Sequence, residues 1–404
     1  MFIVLCILFS LGQFHRSSGS VLAPVFVEEL MLNAEQVGLV IGGMFIFQGL
    51  MQVPSGILID RYGTRIVLPA MVLIAVAGSL ILGYAESWIG IFVGRAMLGI
   101  GFATSLLGAY TVFVRWGTPE MISTITGRFL FVGCIGALFS TLPLAWVLEL
   151  FDWRSVFSTL AVATLVSAVL TYIVVRDVPF DAAPLKPAGP PETLRSSIAG
   201  LGMVLRDRRI WPILSIAIFL YSPMQMLIGI WAGPFLKDVH QVDSIHRSYV
   251  LLAMAIAMSF GMLMYGPIER FFNTRRSVVL MATGAIAVMF FLLATVGYAS
   301  FWMSSILFVM ITLAAPFFLV VLAHGQLHFA PEYASRAVSL ISLLAITGVF
   351  IMQFVTGQVI GSVTDSTEVT GSVLGYRLMF ALMAGIFLLM LLVYRRTRDI
   401  PPKG

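Results

Sequence analysis

Arg16 sits in a mostly apolar stretch that begins at Phe2, with His15 directly before it. A guanidinium placed in hydrocarbon costs at least about 2.5–3.5 kcal/mol on insertion scales, so Arg16 is expected to face water, a partner or a ligand. Two readings are open. One is a bidentate clamp for a carboxylate or phosphate; the other is a structural Arg neutralised by backbone carbonyls or a neighbouring helix. His15 can change charge near neutral pH. Protonated beside Arg16, it is disfavoured in an empty cavity and favoured by a bound anion, which would couple proton binding to anion binding. A neutral His15 bonded to a carbonyl on the opposite face is the alternative, since adjacent helical residues diverge by about 100°.

Other polar groups share this setting. Arg95 and Arg128 also lie inside apolar runs; Arg128 is expected either to line a cavity or to snorkel to the surface. His324 and His328, four apart, share a helical face. With no third ligand in sight, a gate contact such as His328 with Glu269 is preferred over a metal site. Tyr221, Gln225 and Gln353, with Gln48 and Gln52, are candidate substrate contacts, although most intramembrane Gln simply bond across helix interfaces. Acids are missing from the middle of every apolar run. They stand only at the ends, as Glu28, Glu29, Glu86, Glu149 and Asp152. A cavity with arginines and histidines but no carboxylates carries positive potential and attracts anions.

The elements that hold these residues follow from composition. The 404-residue chain is 59% apolar and 11% charged, with mean hydropathy +1.00, whereas soluble domains carry about a quarter charged residues. Its solvent is therefore a bilayer, and its fold is all-α. Windows of about 20 apolar residues predict twelve spans: 2–26, 35–59, 67–85, 88–114, 122–149 and 154–175, then 210–235, 246–267, 277–298, 301–328, 335–361 and 373–394. Residues 1–175 and 210–394 form two six-helix bundles. Between them, 176–209 is a cytoplasmic linker, Pro-rich at first and then an amphipathic surface helix on Leu194, Ile198, Leu201 and Leu205. A cytoplasmic tail follows at 395–404. The N-terminus lacks a basic region and is interrupted by His15-Arg16, so it is expected to be the first span and not a cleavable signal. Cys6 and Cys134 fall in apolar runs as packing residues.

Orientation follows from the Lys and Arg residues. With the N-terminus inside, 17 of the 24 lie on the cytoplasmic side and four outside, Arg154, Lys237, Arg247 and Arg377. Both termini and the linker are therefore expected in the cytoplasm.

The chain also repeats itself. Ala23-Pro24 matches Gly233-Pro234, Gly56 matches Gly266, Pro119-Glu120 matches Pro331-Glu332, and Trp153-Arg154 matches Tyr376-Arg377, all in the same order. Gln225 takes the repeat position of His15. A charged hinge interrupts each half: Gly56, Asp60, Arg61, Gly63 and Arg65 in the first, and Glu269, Arg270, Arg275 and Arg276 in the second. Gly56 is expected to let two helices touch and Gly63 to make a tight turn. Asp60 is expected to pair with Arg115 or to sit at the helix N-terminus near Ala334-Ser335. The alternative is that these charges cap a turn and set topology.

The hinge Gly56…Asp60-Arg61…Gly63…Arg65 resembles the signature of the major facilitator superfamily. Gly94-Arg95-Ala96-Met97-Leu98-Gly99-Ile100-Gly101 resembles that family's helix-four pattern, and Trp153-Arg154…Phe157 its entry to helix six. The resemblance covers essentially the whole chain. It implies a cavity lined by helices one, four, seven and ten, and a role for Arg95 in linking protonation to gating. Helix five lacks the Gly-Pro pair of many drug:proton antiporters. Phe14-His15-Arg16 is similar to the aromatic…Asp-Arg pattern of the family's organic anion symporters, with His in place of Asp.

The expected function is secondary transport of a small organic anion bearing a carboxylate or phosphate, by alternating access of two halves. Proton symport, drawing on the proton gradient with no bound cofactor, is the preferred coupling; anion exchange and drug:proton efflux are the alternatives. A sensor on the same scaffold is a third class. No phosphate loop, dinucleotide fingerprint or nucleophile elbow marks an enzyme, and the basic residues trace a membrane surface, not a nucleic-acid face. A monomer in a bacterial inner membrane is expected.

Overall fold

The computed structural model describes residues 1–116, 119–177, 210–326, 331–363 and 373–401, with 119–124, 326 and 331–339 described by backbone alone. The expected amphipathic linker helix and His328 lie outside the described residues. Every regular element among those residues is helical.

Among the described residues, ten helices are long and apolar enough to cross a membrane, and a bent pair, Ala34–Leu50 with Gln52–Tyr62, adds an eleventh. Phe2–Ser17, continued past Ser18 by Gly19–Leu30, completes twelve. The protein is therefore a multi-pass helical membrane protein. The helices overrun several of the expected windows, because polar residues cap the ends. Asn33 and Gln36 exchange backbone and side-chain hydrogen bonds at the start of span two, a capping box. Asp243 accepts from the His246 N–H at the start of Ser244–Phe272.

The breaks within spans have local causes. A proline cannot donate to the carbonyl four residues before it. Pro54 thus leaves Leu50 without its partner where span two bends by 46°. Pro143 does the same to Phe139, between Pro119–Phe139 and Leu142–Leu150. Span seven is the most broken: Trp211–Ala217, then Ser222–Met226, a π-helical turn at Leu227–Trp231, and Ala232–His240. Pro223 and Pro234 lie in it, and π turns recur at functional sites.

By packing, the chain falls into two compact units. One is Met1–Arg16 with Gly43–Ala199; the other is Ser17–Gly42 with Gly200–Gly404. The boundary at Arg16/Ser17 falls on the break in span one. Residues 17–42, a helical hairpin, therefore pack with the second-half helices.

In the first unit, small residues bring spans together. A Cβ on Gly99 would strike the carbonyl of Met44, and one on Gly136 the carbonyl of Ser10. Gly56 differs: a Cβ there would meet only Leu107, at 3.8 Å, and one on Gly266 would meet nothing within 4 Å. The close helix approach expected at Gly56 is thus not present, because the second segment of span two, Gln52–Tyr62, is only partly covered.

Candidate functional site

Arg16 and His15 occupy the last turn of Phe2–Ser17 and diverge, as neighbouring helical positions must. The His15 ring is fully buried, 5.7 Å from the Phe157 ring in a stacked arrangement and 5.6 Å from that of Phe102. Its backbone carbonyl accepts a hydrogen bond from Arg95 Nη1 at 3.0 Å. Arg95, also fully buried, therefore serves a helix C-terminus, where carbonyls lack intrahelical donors and the dipole favours a cation. Arg16 keeps partial exposure, with its guanidinium 5.9 Å from the Phe45 ring centroid. Arg128 is exposed. Of the cationic side chains expected within the membrane, Arg95 is enclosed while Arg16 and Arg128 reach accessible space.

Gln225 and Gln353 come together in the second unit. Gln353 Nε2 donates to the Gln225 carbonyl at 2.9 Å. The Oε1 atoms of both are buried without a hydrogen-bond partner; that of Gln225 lies beside Gly229 in the π turn, and that of Gln353 beside Gly42. Trp231 Nε1 donates to Thr356 Oγ1 at 2.8 Å, and Ser20 Oγ donates to the Leu227 carbonyl at 2.8 Å. Tyr221, half-buried, lies edge-on to Phe318 at 4.6 Å. Gln48 is buried in the first unit.

The hinges are organised by two carboxylates not singled out in the sequence. Asp177 Oδ1 accepts from the Thr64 N–H at 2.6 Å and the Arg65 N–H at 3.3 Å, and lies 3.5 Å from Arg115 Nη1. It caps the N-terminus of Thr64–Gly83. Gly63 is required there twice over: its φ is +81°, and a Cβ would strike the Asp177 carboxylate. Arg115, expected to face Asp60, thus has Asp177 as an ionic partner; Asp60 and Arg61 are exposed. Arg65 Nε donates to the Tyr172 carbonyl at 3.2 Å.

Asp399 repeats the arrangement. Its Oδ1 accepts from the Arg275 and Arg276 N–H groups at 3.2 and 3.0 Å, and its Oδ2 from Thr274 Oγ1 at 2.5 Å. Although burial raises its pKa, the hydrogen bonds from Thr274, Arg276 and Arg275 and the nearby His324 outweigh that, so the carboxyl lies below the usual range. Glu269 pairs with Arg275 at 3.3 Å, Arg276 also reaches the Arg395 carbonyl, and Arg270 is exposed. His324 is bound at both ring nitrogens, to Tyr394 Oη at 2.5 Å and to the Arg398 carbonyl at 2.9 Å. It ties the tail to span ten. The signal for this pair was present as a repeat, Arg176-Asp177 and Arg398-Asp399.

No cluster of three or more His, Cys, Asp or Glu side chains suited to a metal occurs among the described residues. In the first unit, a partly exposed guanidinium beside an aromatic ring is suited to binding an anion.

A family model described as Major Facilitator Superfamily matches residues 4–352. Among curated proteins, the chain is 28% identical over 179 residues to the "Probable sulfoacetate transporter SauU" of Cupriavidus necator, covering 44% of this chain and 41% of that protein. It is 23% identical over 243 residues to the "Hexuronate transporter" of Escherichia coli, covering 57% and 55%. The chain thus spans about half the length of the curated relatives it matches. Among solved structures, a bacterial homologue of the human lysosomal transporter Spinster, inward-facing and occupied, superposes with TM-score 0.75 at 17% identity, covering 98% of this chain and 96% of that one. The nucleoside transporter NupG superposes with TM-score 0.73 at 14% identity, covering 98% of each. These two likenesses concern the fold alone.

Proposed function

The chain belongs to the Major Facilitator Superfamily, and from that membership we propose that it is a secondary transporter of small organic anions. The observation that carries this reading is Arg16: a guanidinium within span one, partly exposed and set against Phe45. A permanently charged fork in a low-dielectric setting binds carboxylate or sulfonate far better than a cation. The absence of mid-span acids in the sequence points the same way, as do the names of the sulfoacetate and hexuronate relatives.

Transport proceeds by alternating access of the two six-helix repeats, with proton symport as the preferred coupling. Both termini face the cytoplasm, and the membrane is a bacterial inner membrane. The ring of His15, enclosed by aromatic side chains, is poorly placed to touch a substrate, which leaves Arg16 as the principal anion contact.

Uptake into proteoliposomes tests this. Labelled glucuronate and sulfoacetate should enter, faster when the outside is made acidic, and Arg16→Ala should abolish entry. Uptake of lipophilic cations alone, indifferent to Arg16→Ala, would overturn the reading.

A further inference from the structure

Spans one and five of the first unit carry an apolar trough that the anion site does not use. Its volume is about 510 Å³, and its walls include Ile3, Ile7, Leu11, Ile135 and Phe139. A second hollow of about 410 Å³ continues it past Phe14, Phe139 and Leu160 to Phe151 and Val156. The one hydroxyl in the first hollow, on Ser10, is already spent on the Val132 carbonyl at 3.1 Å. The trough therefore offers hydrocarbon and no free hydrogen-bonding side chain.

Its floor is fixed. A Cβ on Gly136 would strike the Ser10 carbonyl, and Phe9 stacks on Phe129 at 4.6 Å. Spans one and five are already in backbone contact there, so bringing them nearer cannot close the hollow beside that contact. Ile3, Ile7, Ile135 and Phe139 stay exposed. The trough also has the length of one leaflet. From Phe2 to Phe14 the helix rises about 18 Å at 1.5 Å per residue, against about 15 Å for half of a hydrocarbon core.

A cation marks one end. The apolar span runs Ile125–Leu150, which puts Arg128 in its first turn. Arg128 precedes Val132, Ile135 and Phe139 on one stripe of the helix, the positions that share a face at helical spacing. Its side chain is exposed, and among the described residues none is bonded to it. A Cβ on the neighbouring Gly127 would meet nothing within 4 Å, so the surface there is open. At the opposite end Arg154 is already engaged, by Asp152 at 3.6 Å and the Ala85 carbonyl at 3.2 Å.

We propose that the trough binds one anionic phospholipid of the leaflet at the Arg128 end, with an acyl chain along spans one and five and the phosphate at Arg128. A wall without hydrogen-bonding groups suits a hydrocarbon chain and penalises the polar body of a sugar acid. The guanidinium forks onto phosphate, and its long stem reaches the headgroup layer. A zwitterionic lipid carries the same phosphate beside a compensating ammonium, so a net negative headgroup is preferred. Arg128, expected from the sequence as a substrate contact, is thereby given to lipid.

The test uses the full chain in phosphatidylcholine vesicles holding a trace of photoreactive lipid. The diazirine sits on the acyl chain, and the headgroup is phosphatidylglycerol or phosphatidylcholine. After illumination, labelled peptides are mapped by mass spectrometry. The phosphatidylglycerol probe should label residues 2–14 and 132–139 about fivefold more than the phosphatidylcholine probe, the effect of one lipid-facing cation. Arg128→Gln should remove that preference, and Arg128→Lys should keep part of it. Ile7→Trp, which fills the trough, should lower labelling there by both probes. Equal labelling by the two probes in the wild type would overturn the proposal, as would a preference that survives Arg128→Gln. So would cross-links joining the troughs of two copies, or loss of labelling in excess glucuronate, which would give Arg128 to the transported anion. Apart from that competition the readout is independent of Arg16, so this inference and the anion reading fail separately.

Discussion

Arg95 Nη1 donates to the carbonyl of His15 at 3.0 Å, so a buried charge on span four holds the last turn of the first helical segment. The guanidinium offsets its own desolvation by serving carbonyls that have no helical donor, at the negative end of the helix. The break at Ser18, the boundary between the two packing units and Arg16 itself all lie within a few residues of this bond. Arg95 therefore positions the segment that carries Arg16.

Arg95→Met should accordingly destabilise the protein. It leaves the His15 carbonyl buried with one donor fewer, a loss of about 1–3 kcal/mol. Thermal unfolding in detergent should show a lower midpoint, with Arg95→Lys recovering part of it. An unchanged midpoint for Arg95→Met would show that the bond contributes nothing.

The hinge glycines should behave differently from each other. Gly63→Ala forces a side chain into a φ of +81° and against the Asp177 carboxylate, a strain of about 1–3 kcal/mol. Gly56→Ala meets only Leu107 at ordinary contact distance and gains helix propensity. Thermal midpoints of the two variants should fall on opposite sides of, or at least well apart about, the wild-type value. Equal losses would mean that Gly56 packs against something in another state.

The cap at Asp399 gives a pH dependence with a definite sign. Its carboxyl is held below the usual range, so its contribution is present above the unfolded pKa and is lost as pH falls through the lower folded value. Asp399→Asn should cost about 1 kcal/mol at neutral pH, and the gap to wild type should close below about pH 4. Midpoints measured from pH 7 downwards check this; a gap that widens in acid would reverse the assignment.

Much of the architecture was legible in the chain. Spans one to twelve follow from apolar windows because hydrocarbon must be buried in lipid; the breaks at Pro54 and Pro143 were not anticipated, although missing N–H donors account for them. The polar contacts were harder to read. Asp177 and Asp399 stand at span ends, where a charge reads as topology, and only their helix-capping geometry shows a structural role. The closeness of Arg95 to His15 joins residues 80 positions apart, which no local pattern encodes. Gly56 was expected to mark a close contact, but the hinge glycine that the fold demands is Gly63. The packing of residues 17–42 with the second-half helices depends on tertiary fit between glycines and carbonyls that are remote in sequence.

The most direct test of the anion reading is equilibrium binding of glucuronate and sulfoacetate to the purified protein, wild type beside Arg16→Ala and Arg16→Lys, at pH 5.5 and 7.5. Loss of a bidentate charged contact should weaken binding by about tenfold to a hundredfold in Arg16→Ala, with Arg16→Lys in between. Thermal midpoints should rise with ligand in wild type only. If both anions bind wild type and Arg16→Ala alike, or if lipophilic cations bind in their place, Arg16 is not the anion contact and the account is contradicted.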